Sequence, residues 1–338
     1  MPSTSREIEP GVHARTLSAV HRVRPFAERD YPAYARLRTR GAAPQLSVDE
    51  VREEDRRWDW SRFDKLRLVA VDDDDASVGY GEIYQSPSRF DPRRYFVDLV
   101  VDAPVRRRGV GAAIWHRLHA ALVERSALVA CRWADDHTSC SEFMTKHGFR
   151  EVIRAYGQVL TIATAPLPAP GIEEQLSAAG IRIATLPELV RERPDAMDRA
   201  HELYSACRVD QPTLGRVTEW PFADWHAFNV EDPLALPDAY FIALAGERFV
   251  GNCSVRRTAG TADVLTIGIT GVLPEFRRRG IARALKLRTH AYARLHGYNE
   301  IRTSNTGPNV GMLALNKALG YIFVDSWAGY ELDIAAAT

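Results

Sequence analysis

Apolar and polar positions fall into short runs of alternating character and longer runs of helical period, and the runs come twice in the same order. In the second half, "IRIATL" reads as a strand, followed by helical stretches around 195–209 and 218–229. "YFIALAG", "RFVGNCSVRR" and "VLTIGITGV" read as strands, the first two joined by a tight turn at Gly246-Glu247. A helix over 278–296 sets Ile281, Leu285, Thr289, Tyr292 and Leu295 on one buried face. "EIRTSN" is then a fifth strand, 308–319 a short helix, and "YIFVDSW…YEL" a closing pair of strands. The first half follows the same plan: "LRLVAVD", a turn at "DDDD", "SVGYGEIYQ", "YFVDLVVD", a helix over 108–125, "LVACRWA", a helix over 139–147, then "FREVIRAYGQVLTI". This is an α/β pattern, with hairpins flanking a central strand–loop–helix unit.

Landmarks in the two halves keep a constant separation. Arg106 and Arg277, like Gly109 and Gly280, lie 171 positions apart. Gly79 and Gly251, and Gly148 and Gly320, lie 172 apart. Such register predicts a duplicated domain. "TAPLPAPGIEEQ" (164–175), with three prolines and a glycine, reads as the linker, which sets domains at 22–165 and 176–338.

Composition narrows the partners. Lys+Arg and Asp+Glu both number 44, so no global field draws nucleic acid or an acidic membrane, and any anion site must be local. Cys131, Cys140, Cys207 and Cys253 form no CxxC pair and have no histidine at zinc spacing, which predicts no metal site and a reducing compartment. "MPSTSREIEPGVHARTLSAVHR" has no apolar stretch of the signal-peptide kind, and no run reaches membrane-spanning length. The expectation is a cytoplasmic protein, monomeric or homodimeric.

The local anion site is legible. "VRRRGVGAAIWH" and "EFRRRGIARALK" each follow an apolar strand and open a helix. A helix start carries unpaired N–H groups and partial positive charge. Adding Arg277, Arg278 and Arg279 there is unfavourable unless a strongly negative group such as a pyrophosphate is bound. Gly280 and the small Ala282 then let backbone approach phosphate closely, with Ile281 between them; Arg106, Arg107, Arg108, Gly109, Val110 and Gly111 are the first-half counterparts. Neither copy has the GK[ST] of a nucleotide-hydrolysing loop, and Ile114 breaks a dinucleotide GxGxxG.

Strand, V-x-x-x-x-R-x-x-G-x-[GA], helix resembles the acetyl-CoA signature of the GNAT superfamily of N-acetyltransferases. Val272, Arg277, Gly280 and Ala282 match it, as do Val101, Arg106, Gly109 and Gly111. "IRTSNTGPNVGMLALNKALGY" (301–321) resembles the T-x-N…N-x-x-M-L-x-L-N-x-x-L-G-[FY] segment of its small-molecule enzymes. The resemblance covers both halves. It implies two GNAT-like units, each a mixed, mostly antiparallel twisted sheet with flanking helices. Acetyl-CoA is the implied cofactor, its arm held along Ile269, Thr270, Gly271 and Val272 and its diphosphate by 277–282. Asn305 has two readings, a neighbour of the cofactor arm or a cap for the helix after Pro308.

The implied reaction moves an acetyl group from thioester to amine, which needs a route for the amine's proton and a backbone N–H, near Val272, for the oxyanion. Many relatives place a tyrosine as acid where this chain has Asn316 and Met144; neither donates like a phenol, and Asn316 is kept as a cofactor-side residue. The glutamate some relatives use as base falls on Thr266, leaving Asp263, Glu219 and His226 as candidate bases, also readable as surface charge or a helix cap, and Tyr330 as a candidate acid, also readable as core. Trp220, Phe222, Trp225 and Phe228 are read as lining a cleft for a partly apolar amine, with the core as the other reading of Trp225 and Phe228, spaced i, i+3. "RWA" (132–134) stands in the first half where the second has "TSN", so the second half is expected to be catalytic and the first structural or CoA-binding without turnover. The expected acceptor is a small primary amine of antibiotic, amino-acid or polyamine type. The competing readings are a protein N-acetyltransferase and an acyl-CoA sensor without turnover.

Overall fold

A computed structural model of the protein describes residues 22–39, 46–135 and 140–334. The first half runs Arg22–Pro25 (β1), Tyr31–Arg38 (α1), Val48–Arg57 (α2), Lys65–Val71 (β2), Ser77–Tyr84 (β3), Arg94–Val101 (β4), Val110–Glu124 (α3), Val129–Asp135 (β5), Cys140–Lys146 (α4) and Arg150–Thr161 (β6). Pro170–Ala178 (α5) joins it to the second half. There follow Ile181–Thr185 (β7), Leu186–Glu192 (α6), Ala196–Val209 (α7), Phe222–His226 (α8), Ala235–Ala245 (β8), Arg248–Arg257 (β9), Val264–Val272 (β10), Ile281–Leu295 (α9), Glu300–Thr306 (β11), Val310–Ala318 (α10) and Ile322–Asp333 (β12).

All twelve strands form one sheet in the order β1-β2-β3-β4-β5-β12-β6-β11-β10-β9-β8-β7. The order reads as two copies related by a pseudo-two-fold at the β12–β6 pair. Each half's last strand is exchanged: β12 pairs with β5 of the first half, and β6 pairs with β11 of the second. A cut between 165 and 176 therefore leaves each half without its sixth sheet position. A Cβ on Gly157, at the β6–β12 seam, would displace the exposed Asp325 carboxylate and crowd the Trp327 ring.

Among the described residues only β4–β5 and β10–β11 are parallel, and each pair keeps three residues in register before splaying. β12 is one bulged strand rather than a closing pair. The proline-rich linker is half helix: Pro170 opens α5, and Glu173 pairs with Arg288 of α9 at 2.8 Å. The first-turn prolyl nitrogen lacks an N–H that a helix start would leave unpaired anyway.

Apolar stripes on α3 (Ile114, Leu118, Leu122) and α9 (Ile281, Leu285) cover equivalent faces of the sheet. The buried face of α9 also takes Thr289, but Leu295 is 81% exposed, because the helix ends there and its last turn clears the sheet. The predicted helix over 218–229 starts only at Phe222 and widens into a π-turn over Ala227–Glu231.

Candidate active site

The arginine–glycine loop has the same backbone in both halves. Gly109 and Gly280 cap α3 and α9 with φ of 85° and 80°, and Arg107 and Arg278 hold φ of 64° and 63°. Left-handed positions two residues apart turn successive N–H groups toward one point, an anion-binding nest. A Cβ on Gly280 would meet nothing within 4 Å, so glycine is required there for its positive φ rather than for room. Arg277 and Arg106 serve the loop itself: their Nε atoms donate to Val272 O at 2.9 Å and Val101 O at 3.0 Å. Arg277 also pairs with Asp210. Arg278 makes no ion pair among the described residues and lines the second-half cleft, whereas Arg279 turns back onto the Glu275 carbonyl at 3.0 Å and the Phe276 ring.

Two clefts open beside the loops. The second-half cleft, about 540 Å³, runs from Arg277, Arg278, Gly280, Ile281 and Ala282 along Ile269–Val272 to Asn305, Asn309 and Met312. The first-half cleft, about 900 Å³, brings Val101, Arg106, Arg107, Gly109 and Gly111 together with Trp115, Arg132, Met144 and Phe149. Arg108 and Val110 are not in its wall; Val110, the first residue of α3, is buried.

The strand gaps differ. Past the last paired residues, Phe96 and Cys131, β5 carries Arg132, which is 5% exposed. Its guanidinium donates to Val97 O at 3.3 Å and Leu99 O at 2.9 Å and pairs with Asp98 at 3.1 Å. These carbonyls are the edge that the splay frees on β4. In the second half the residue just past the junction, after Thr266 and Arg302, is Thr303, which leaves the gap open and lines the cleft. β10 also carries a bulge: Gly268 and Ile269 stand opposite Ser254 between the Ile267–Val255 and Thr270–Cys253 pairs. Junction to capping glycine spans one residue more in β10 than in β4. The bulge re-aims backbone groups toward the cleft.

Asn305, next to last in β11, lies in the cleft wall with its amide 3.5 Å from Gln158 Oε1. Capping of α10 falls instead to Asn309, whose Oδ1 accepts from Met312 N at 3.4 Å. Asn316 is fully buried behind the wall and donates to Gln158 Oε1 at 2.8 Å. Gln158 belongs to β6, so a first-half strand supplies this contact.

The proposed acid–base residues do not gather at the cleft. Asp263 sits at the opposite end of β10, where it accepts from Asn299 N at 2.8 Å and from the Asn299 amide at 2.6 Å. Glu219 is an exposed loop residue, and His226 lies 3.2 Å from Glu231 on the outer side. Tyr330 belongs to the first-half core, because the exchange carries β12 there. Trp225 is fully buried in the second-half core, and Phe228 lies 3.7 Å beneath the Arg256 guanidinium.

One cleft residue was not foreseen. Lys286, on the buried stripe of α9, lines the cleft while only 1% exposed, and burial lowers its amine to about 8. The signal was a lysine one residue past Leu285 and three before Thr289, hence on the apolar stripe.

Among the described residues no group of acidic, histidine and cysteine side chains could hold a metal, and no helix is long and apolar enough to cross a membrane. The acetyltransferase (GNAT) family model matches residues 29–149 and again 197–321. The mycothiol acetyltransferase of Thermobispora bispora is 28% identical over 264 residues, 75% of this chain and 80% of that one. In three dimensions the chain is similar to a GCN5-related N-acetyltransferase from Sphaerobacter thermophilus (22% identity, TM-score 0.67, 92% of this chain and 95% of that one). A tandem GNAT protein from the clavulanic acid biosynthesis pathway is equally similar (17% identity, TM-score 0.67, 93% and 98%). Twice matched and twice folded, the chain belongs to the acetyltransferase (GNAT) family and is a tandem acyltransferase of it.

Proposed function

We propose that the second half transfers the acetyl group of acetyl-CoA to the primary amine of a small molecule, and that the first half is its scaffold. The observation that carries this reading is the contrast between Thr303 and Arg132. In the second half a left-handed loop leads into an open strand gap; in the first, a buried guanidinium already occupies the carbonyls that such a gap offers.

The second-half residues fit coenzyme A. Arg278 and the N–H groups around Gly280 would take the diphosphate, and the bulged edge of β10 would take the arm's amides. When bound, acetyl-CoA supplies an activated acyl carbon on a thiol leaving group. The chain's part is to orient that carbon and to move protons. A lysine-like acceptor amine, with a pKa of about 10.4, must lose a proton before it attacks. Among the described residues the cleft wall holds no histidine, and its one carboxylate, Asp210, is tied to Arg277, so that proton leaves through water.

Incubating the full chain with acetyl-CoA and a panel of primary amines tests the reading, with thiol release as the readout. Release that depends on the amine supports it. Coenzyme A binding with no release above background would mark an acyl-CoA-binding protein instead, and release only with peptide amines would mark a protein acetyltransferase.

A further inference from the structure

We propose that Lys286 is the proton donor to the departing thiolate, a catalytic residue of the second-half cleft. The assignment rests on the acetyl-transfer reading of that cleft. The titratable side chains in the cleft wall are Cys207, Asp210, Arg277, Arg278, Arg283 and Lys286. Burial pushes Cys207 up to about 12, and Asp210 is tied to Arg277. Arginines do not give up protons near neutrality. Lys286 remains.

Its setting is that of a charge awaiting a ligand. The Lys286 ammonium makes no hydrogen bond or ion pair among the described residues; the Tyr321 ring lies 5.0 Å from Nζ. An ammonium buried without a counter-charge costs several kcal/mol. Lys286 lies six residues from the Gly280 cap, about 9 Å down the helix, toward the place where β10 and β11 rejoin. That sets its Cα well away from the phosphate loop. The titratable groups packed around it are Cys253 on β9, Tyr321 after α10, and His290 on its own helix; β10 contributes none. Burial raises the Cys253 thiol and the Tyr321 phenol and lowers His290 to about 4, so Lys286 alone changes charge just above neutrality. The Tyr321 hydroxyl, 3.2 Å from His290 Nε2, is already committed. In the first half the corresponding residue is Trp115, which cannot donate such a proton.

The step balances. The bond from amine nitrogen to acyl carbon forms, the carbon–sulfur bond breaks, and Lys286 Nζ gives its proton to sulfur. The surplus proton on the amine nitrogen passes to water, from which Lys286 is recharged. A donor near 8 and a thiol near 8.5 are matched, so the transfer is close to thermoneutral.

The test titrates the thiol of coenzyme A bound to the full chain, read by thiolate ultraviolet absorbance, for wild type and Lys286→Met. With Lys286 present, the bound thiol should titrate about one pH unit below free coenzyme A. In Lys286→Met it should titrate at or above the free value. With spermidine, glucosamine and lysine as probe amines, kcat should fall about 100-fold while KM for acetyl-CoA stays within about threefold. A bound thiol that titrates alike in both proteins, or a loss confined to KM, overturns the assignment. Should Lys286→Met fail to fold, Lys286→Gln carries the same expectations, and an unshifted thiol in wild type alone overturns it. Failure of wild type to release thiol with any probe amine overturns the transfer reading; the thiol titration judges Lys286 separately.

Discussion

Gln158 accepts a 2.8 Å hydrogen bond from Asn316, although the two residues come from opposite halves of the chain and both are buried. The second-half site is therefore completed by a strand of the first. Residues 176–338 expressed alone would lack β6, exposing the edge of β11 and leaving Asn316 without that acceptor. The expected product is aggregated or strand-swapped and binds no coenzyme A. A folded, coenzyme-binding monomer on size exclusion would contradict this.

Exchanging the gap residues should exchange the behaviour of the halves. Thr303→Arg places a guanidinium where the β10 edge is open, and Arg132→Thr frees Val97 O and Leu99 O. Calorimetry should give about one coenzyme A per chain for wild type, none for Thr303→Arg, and a second site for Arg132→Thr. An unchanged stoichiometry in both variants would refute the plug.

The loops themselves should be unequal in consequence. Arg277→Glu with Gly280→Glu puts two negative charges at the helix start and forces a side chain onto φ of 80°, a cost of about 1–2 kcal/mol before any electrostatic loss. Acetyl-CoA-dependent turnover should vanish. The equivalent Arg106→Glu with Gly109→Glu should keep most of it, and the opposite result would move catalysis to the first half.

His290 should set a pH limb in stability. Its Nδ1–H donates to Pro166 O at 2.9 Å and its Nε2 lies 3.2 Å from the Tyr321 hydroxyl, while burial disfavours the charged ring. Burial lowers its pKa from 6.5 to about 4. Between those values the unfolded chain binds the extra proton, so stability declines as pH falls through this window and is retained above it. The loss is on the order of 3 kcal/mol by pH 4. Urea midpoints measured from pH 7 to 4 should fall more steeply for wild type than for His290→Gln.

The loops were legible because a short motif recurred at fixed separation, and both copies adopt the same left-handed backbone at Arg107 and Arg278. The order and type of most elements followed from apolar periodicity, but β1, α1 and α2 were not read, and the closing pair is one bulged strand. The exchange of β6 and β12 did not follow, because alternation specifies that a strand forms and which face it buries, not which edge it joins. Of the two readings of Tyr330, acid or core, the structure gives core, and it is the first-half core because of that exchange. The bulge at Gly268 and Ile269 is a one-residue difference between halves that the 171-residue spacing of the loops conceals. Lys286 went unread because a single charge inside an apolar stripe looks like a helix-forming filler until its burial is known.

The paired central strands have a bearing on how this duplicated gene product can change. With β12 rooted in one core and β6 in the other, neither half can melt without tearing a strand from its neighbour, so the chain should unfold in a single calorimetric transition. On the division of labour proposed above, the first half then cannot be shed by deletion. It would persist as the fold-partner of the second, free to drift at its cleft but held to its seam.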